Sequence, residues 1–258
     1  MIEIYNEDCL ETMRRMPDNH IDLTITSPPY DNLRTYKNTL NWNESIWKQV
    51  IKELFRVTKT GGVVVWVVGD ATIKGSETGT SFKQALYAKE IGFNLHDTMI
   101  YEKKTVFVYD PRNKRYKSAF EYMFIWSKGF PKTYSPIIDK EVKSAGKVLK
   151  GNSGRDKNGN KRLGKSFIAN ALQARFNIWT YSGNDGTKNP HPAYFPEKLV
   201  NDHIISWSNV GDLIYDPFMG SGTTGKVALL NNRRFIGSEL VENYFEIAKA
   251  RIEHWTKS

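Results

Sequence analysis

Asp212-Leu-Ile-Tyr-Asp-Pro-Phe-Met-Gly-Ser-Gly-Thr-Thr-Gly225 is the stretch around which the rest of the chain is read. Leu213–Tyr215 has the character of a short buried strand. Gly220, Gly222 and Gly225 predict a tight turn after it, and the apolar run Val227–Leu230 predicts the first turns of a helix. A strand opening into a helix through glycines lets a ligand approach bare backbone N–H groups. The three glycines satisfy the dinucleotide spacing G-x-G-x-x-G, and Glu239 follows Gly220 by 19 residues, where ribose hydroxyls want an acid. Gly220 and Gly225-Lys226 also fit the phosphate loop G-x-x-x-x-G-K, but Val227 replaces the hydroxyl that would hold magnesium. On its own the cluster is also compatible with a plain turn.

A second stretch, Thr26-Ser-Pro-Pro-Tyr30, narrows these readings. Ile21–Thr26 alternates and then fills with β-branched residues, which predicts a buried strand running into Ser27. Pro28 and Pro29 fix φ and hold the residues before them extended. The Ser27 hydroxyl and the Ser27 and Pro28 carbonyls then project from a strand's carboxyl end, where open α/β sheets bind ligands. Tyr30 adds an aromatic face suited to stacking on a base.

Together, Asp-Pro-Phe-Met-Gly-Ser-Gly-Thr-Thr and Thr-Ser-Pro-Pro-Tyr resemble the motifs of the amino-group DNA methyltransferases that use S-adenosylmethionine. The order, Pro-Pro-Tyr first and glycines last, resembles the beta class, and the likeness covers nearly the whole chain. The resemblance implies a Rossmann-like, doubly wound, mainly parallel α/β sheet with a basic target-recognition insert. It implies a catalytic part over residues 1–128, the insert over 129–188 and a cofactor-binding part over 189–258. Catalysis falls to Ser27, Pro28, Pro29 and Tyr30. Cofactor binding falls to Asp8, Cys9, Asp216, Phe218, Gly220, Ser221, Gly222, Glu239 and Leu240. Asp8 matches an acid that reaches the adenine end of the cofactor, and it is equally a good helix N-cap. Ser at the first motif position is typical of cytosine-N4 enzymes, and Asp of adenine-N6 enzymes. The expected reaction is therefore methyl transfer to the N4 of a flipped cytosine, with adenine N6 as the alternative.

The composition agrees with a polyanionic partner. Net charge is +9 and the pI near 9.4. Between Lys128 and Arg175 there are 12 Lys and Arg against 3 Asp and Glu, so this segment carries the entire excess. Gly146–Lys165 is rich in glycine and base and poor in core-forming residues, which suits phosphate contacts and base-edge reading, or a solvated basic loop. The few apolar residues mark it as an insert and not an independently folding domain. The expected partner is double-stranded DNA; a homodimer and a cognate restriction endonuclease are left open. The single Cys9 excludes a disulfide framework, and no apolar run of about 20 residues predicts a membrane span, so a cytoplasmic protein of bacterial, archaeal or phage origin is expected.

Along the chain, Ile2–Tyr5 reads as a strand, and a helix follows with Leu10, Met13 and Met16 inward. In the loop Asp31–Trp42, Arg34, Tyr36, Lys37 and Trp42 are candidates for DNA contact or for plain surface. Asn43 caps a helix that ends at Gly61-Gly62, and Val63–Val68 is a strand covered on both sides. Ser81–Ile91 is helical, and Thr98–Tyr101 and Tyr122–Trp126 are strands with an antiparallel partner. Asn189–Pro196 resembles the family segment over the methionine part of the cofactor and leads into the helix Glu197–Trp207. His191 there has no second ligand at metal spacing. Arg234–Leu240 is a strand with Glu239 at its end, and Val241–Trp255 a helix.

Competing readings come from different classes, among them a non-catalytic DNA-binding module, which explains the charge but not a cofactor turn. An NAD-dependent oxidoreductase explains the glycines and Glu239 but leaves Ser-Pro-Pro-Tyr and the basic insert idle. An ATPase needs Ser or Thr at 227. Methylation of cytosine at ring carbon 5 needs a thiolate, for which Cys9 is the only candidate, far from any Pro-Cys dipeptide.

Overall fold

The structure is a computed structural model that describes residues 2–29, 42–104, 114–151, 153–162, 164–182 and 196–256. It divides into two compact units, Met1–Ser135 with Asn177–Ser258, and Pro136–Phe176. The larger unit opens with β1 (Ile2–Tyr5), α1 (Cys9–Arg15), β2 (Ile21–Thr26), α2 (Glu44–Val57) and β3 (Thr58–Val68). A small hairpin, β4 (Thr72–Ile73) and β5 (Ser76–Glu77), leads to α3 (Thr80–Glu90), β6 (Asn94–Lys103) and β7 (Phe120–Ser127). The second unit holds β8 (Ile138–Glu141), β9 (Val148–Lys150), β10 (Gly154–Arg155), β11 (Lys161–Arg162), β12 (Ser166–Ile168) and β13 (Leu172–Ala174). The chain returns to the larger unit with β14 (Ile178–Tyr181), α4 (Glu197–Trp207), β15 (Leu213–Asp216), α5 (Thr223–Leu230), β16 (Arg234–Ser238) and α6 (Glu242–Thr256).

Eight strands form one sheet in the order β1-β16-β15-β2-β3-β7-β6-β14. β7 runs antiparallel to β3 and β6, and the other pairings are parallel. This is the expected doubly wound, mainly parallel α/β sheet. One face is covered by α1, α2 and α3, which bury Met13, Trp47, Ile51 and Leu54 against Trp66, Trp126 and Tyr215. α4, α5 and α6 pack together as a second helical group, and α5 lies against β15 and β16. Val63–Val68 is buried along its whole length because both of its faces are covered.

Local signals explain the helix starts. Asn43 caps α2 by accepting the Ile46 N–H at 3.2 Å, and Asp8 caps α1 by accepting the Leu10 N–H at 2.8 Å. Two expectations change. α2 ends at Val57, and Gly61-Gly62 lies inside β3, where any Cβ on Gly62 would meet backbone oxygens at 2.9 and 3.0 Å. Gly225 belongs to α5 and not to the turn, because the helix already begins at Thr223.

The compact second unit spans 136–176, narrower than the expected insert 129–188. The flank 177–182 does not stand apart, since β14 pairs in register with β6 from Ile178↔Ile100 to Tyr181↔Lys103. Within the small unit, three short antiparallel pairings, β8 with β13, β9 with β12 and β10 with β11, form separate two-stranded ladders nested one inside the next along the sequence. Among its described residues only Ala169 is buried.

Candidate active site

Parallel strands point their carboxyl ends to one edge of the sheet, so β1, β16, β15, β2 and β3 deliver their following loops side by side. From β15 the chain crosses through α5 to β16 on one side. From β2 it crosses through α2 to β3 on the other. The crossovers diverge between β15 and β2, which makes that junction the topological switch point where open α/β sheets bind ligands. The glycine motif and Ser27-Pro28-Pro29 are the two segments that leave it.

A buried carboxylate ties these segments together. Asp216 is 2% exposed, and its Oδ1 accepts the Thr26 hydroxyl at 2.7 Å and the Phe218 N–H at 3.1 Å. Its Oδ2 accepts the Thr224 hydroxyl at 2.6 Å. Burial raises its pKa to about 6, against the pull of those three donors. The side chain expected to touch a cofactor is thus occupied as a brace between the end of β2, the turn and the start of α5. Ser27 is half-buried and Pro28 and Pro29 are buried immediately beyond that brace.

The turn itself is set by Gly220 and Gly222 at φ 52° and 77°, a region that side chains disfavour. Met219 N–H donates to the Ser238 carbonyl at 2.9 Å, stitching the turn to the end of β16. Glu239 follows directly. Its carboxylate accepts the Gly220 N–H at 2.9 Å and the Val241 N–H at 2.8 Å, and burial raises its pKa. The Glu239 N–H in turn donates to the Tyr5 carbonyl at 3.0 Å, and Asn6 Nδ2 donates to the Glu239 and Leu240 carbonyls. Asp8, Cys9, Glu239, Leu240 and the turn therefore gather at neighbouring strand ends. Asp8 is exposed and is the α1 N-cap; Cys9 is buried, and burial pushes its thiol well up, away from the thiolate form.

Several participants carried no obvious signal in the sequence. Ser221 is held from below by Arg251, whose guanidinium donates to its carbonyl at 2.8 Å and its hydroxyl at 3.0 Å. Glu197 bridges Arg251 and Lys226, the latter at 2.7 and 2.9 Å, so the lysine of the near-miss phosphate loop is committed to an ion pair. Trp42, a candidate for DNA contact or surface, is half-buried and meets Phe218 edge-on at 5.3 Å between centroids. Ring-on-ring packing of this kind is visible only once the fold brings residues 42 and 218 together. Gly225 lets α5 lie close to its neighbours, since a Cβ there would meet Ile252 and Phe235 side-chain atoms at 2.7 Å. Tyr30, Arg34, Tyr36, Lys37 and His191, with the segment 189–195, lie outside the described residues.

Comparison with known proteins adds the following. A family model described as DNA methylase, of the N6 and N4 methyltransferase type, matches residues 21–250. The orphan methyltransferase M.BamHII of Bacillus amyloliquefaciens is 52% identical over 247 residues, which cover 92% of this chain and 91% of that protein. The type II methyltransferase M.BglII of Bacillus subtilis is 27% identical over 256 residues, covering 95% of this chain and 67% of its own. Among solved structures, PvuII DNA methyltransferase, described as cytosine-N4-specific, superposes with a TM-score of 0.72 at 23% identity, covering 99% of this chain and 90% of that one. The M1.HpyAVI–SAM complex gives a TM-score of 0.67 at 21% identity, over 98% of this chain and 99% of that one.

Proposed function

The chain belongs to the N6/N4 DNA methylase family, and we propose that it transfers a methyl group from S-adenosylmethionine to the exocyclic N4 of a flipped cytosine in duplex DNA. The observation that carries this reading is the brace through Asp216, which fixes Ser27-Pro28-Pro29 beside the glycine turn at the switch point.

The choice of cofactor rests on the chemistry of the turn. A dinucleotide or ATP would set a phosphate on the Gly220 amide. That amide already donates to the Glu239 carboxylate, and Lys226 is paired with Glu197. An added anion would meet a carboxylate where it needs a donor. An adenosine with a free ribose diol and a cationic sulfur suits the same set of groups. Glu239 keeps lone pairs for the diol, with Phe218, Gly220, Ser221, Gly222, Asp8, Cys9 and Leu240 around the turn and the adjoining strand ends. S-adenosylmethionine supplies, when bound, a methyl group on a positively charged sulfur.

The chain's own contribution is orientation. The lone pair of an exocyclic amine is delocalised into the base, so the amine is a poor nucleophile. The Ser27 hydroxyl and the Ser27 or Pro28 carbonyl accept its hydrogens and stabilise the pyramidal amine. Tyr30 stacks on the base once it leaves the duplex. Buried Cys9, with its thiol kept protonated, offers no nucleophile for attack on ring carbon 6. On this reading residues 1–128 and 189–258 build the catalytic and cofactor parts, and the 129–188 region recognises the target. The cytosine assignment rests on serine, a hydroxyl that can donate to cytosine N3 as well as accept.

Mass analysis of nucleosides from treated duplex DNA tests the assignment. N4-methylcytosine is the expected product. N6-methyladenine alone would move the target to adenine while leaving the enzyme class intact, and 5-methylcytosine would overturn the mechanism.

A further inference from the structure

We propose that the ribbon of the 136–176 unit enters the DNA major groove with its two faces divided, one for phosphates and one for base edges. The inference rests on the DNA methyltransferase reading above.

The register defines the faces. Val148↔Ile168 and Lys150↔Ser166 in one antiparallel pair, and Gly154↔Arg162 and Arg155↔Lys161 in the next, keep the same register. Asp156 closes the end by accepting the Asn158 and Asn160 N–H groups at 2.8 and 2.9 Å, and Gly159 takes φ 82° as the three-residue loop requires. Strand residues advance about 3.4 Å each, so each arm of such a hairpin is of groove length within about one helical turn of DNA. A two-stranded ribbon is of a size to enter a major groove about 12 Å wide.

The ribbon spends almost nothing on packing, since even Val148, Phe167 and Ile168 are 70%, 53% and 67% exposed. A bare two-stranded hairpin is marginal in water, so a partner surface is needed to order it fully. Its charge selects that partner. Between 148 and 168 stand Lys150, Arg155, Lys157, Lys161, Arg162 and Lys165, against a single acid. That acid, Asp156, is engaged by its own turn.

Strand alternation then separates the basic residues. Arg155 and Lys161 are directly opposite each other, and Lys165, whose carbonyl accepts the Gly151 N–H at 3.1 Å, keeps the same register further along. Like charges directly opposite are destabilising unless an anion lies between them, which marks this face for phosphate. On the other face Arg162 stands opposite Gly154, where a Cβ would find nothing within 4 Å. The guanidinium has room to lie flat and bond a guanine edge in bidentate fashion.

The test treats unmodified genomic duplex DNA with wild type, Lys161→Ala/Lys165→Ala, Arg162→Ala and Arg162→Lys. Methylated sequences are read by modified-base sequencing, and duplex binding is titrated against salt. S-adenosylmethionine binding by calorimetry, expected unchanged throughout, establishes that each variant is folded. The double variant should keep the same methylated sequence and lose about 1.8 from the slope of log affinity against log salt. Arg162→Lys and Arg162→Ala should both keep the slope, because the guanidinium meets a base edge and not a phosphate, and both should accept other bases at one guanine. Unchanged specificity in both Arg162 variants, or an unchanged slope in the double variant, overturns the division of faces. A wild type that binds cofactor yet methylates no DNA overturns instead the reading on which it rests.

Discussion

The Thr26 hydroxyl donates to Asp216 Oδ1 at 2.7 Å across 190 residues of sequence, and both groups are buried. Thr26 is the last residue of β2 and Asp216 the last of β15, so this one bond sets the distance between the segment that would hold the base and the turn that would hold the cofactor. Thr224 secures the other carboxylate oxygen and thereby the first turn of α5. A buried, multiply bonded carboxylate tolerates little displacement, because any donor lost leaves charge in a dry interior.

Thr26→Val removes one donor at nearly constant volume. It should cost about 1–3 kcal/mol of stability and lower turnover more than cofactor affinity, since Ser27 is the next residue. Chemical denaturation and single-turnover methylation measure the two effects. Unchanged values in both would show that the bond does not position the site.

Glu239 holds two amides as well as its proposed ribose contacts, so two substitutions separate its duties. Glu239→Ala should weaken S-adenosylmethionine binding by about 1–3 kcal/mol and also lower the melting temperature, because the Gly220 and Val241 N–H groups lose their acceptor. Glu239→Gln keeps an acceptor oxygen for one of them. It should recover much of the stability while affinity stays low. Equal affinity in wild type and both variants, by calorimetry, would remove Glu239 from the cofactor site.

Much of this architecture was legible in the residue pattern. The unbroken apolar run Val63–Val68, Gly220 and Gly222 after Leu213–Tyr215 and the caps Asn43 and Asp8 all encode local structure, and each lies in the element expected of it. Ser27 and Gly220 were placed at adjacent strand ends by the logic of a doubly wound sheet, and the β2–β15 pairing bears this out. What escaped was tertiary. Nothing within the stretch 212–225 says that the Asp216 carboxylate turns toward Thr26, or that Glu197 neutralises Lys226 and Arg251 together. The glycines misled for a related reason. Gly225 is required by the closeness of Phe235 and Ile252 and not by a turn, and Gly61-Gly62 by backbone crowding within β3. Spacing alone cannot distinguish a glycine needed for its φ from one needed for its missing Cβ.

That distinction is testable at Gly225. Alanine in a helix interior is intrinsically favoured over glycine by about 1 kcal/mol. At this site, however, the new methyl would lie 2.7 Å from the Phe235 ring, and Phe235 is fully buried with no room to retreat. Overpacking at about 1–3 kcal/mol should win, so Gly225→Ala should melt lower than wild type. Gly154→Ala, where the Cβ would meet open space, serves as the contrast and should leave the melting temperature almost unchanged. A Gly225→Ala protein more stable than wild type would return this glycine to the role of a chance helix residue.

Two buried groups give the fold opposing responses to acid. Asp216 is raised from 3.8 to about 6 by burial, so the folded state binds its proton more tightly than the unfolded state does. Its contribution to stability therefore falls as pH rises through the window from about 4 to 6. His203 lies fully buried against the Trp179 ring at 4.6 Å, and burial drops its pKa from 6.5 to about 3. Here the unfolded state binds the proton, and stability is lost as pH falls from about 6.5 towards 3. Between about pH 4 and 6 the two responses offset each other, so the larger His203 displacement leaves wild type a net loss on acidification only from about pH 6.5 to 6 and below about 4. His203→Gln should remove the His203 response, leaving a protein whose stability between about pH 4 and 6 declines as pH rises with a slope approaching one proton. Asp216→Asn should do the reverse and steepen the acid loss, because the compensating carboxyl is gone. Urea denaturation at half-unit steps from pH 4 to 7 measures all three proteins. Parallel curves for wild type and His203→Gln would mean that the imidazole reaches solvent and titrates normally in the folded chain.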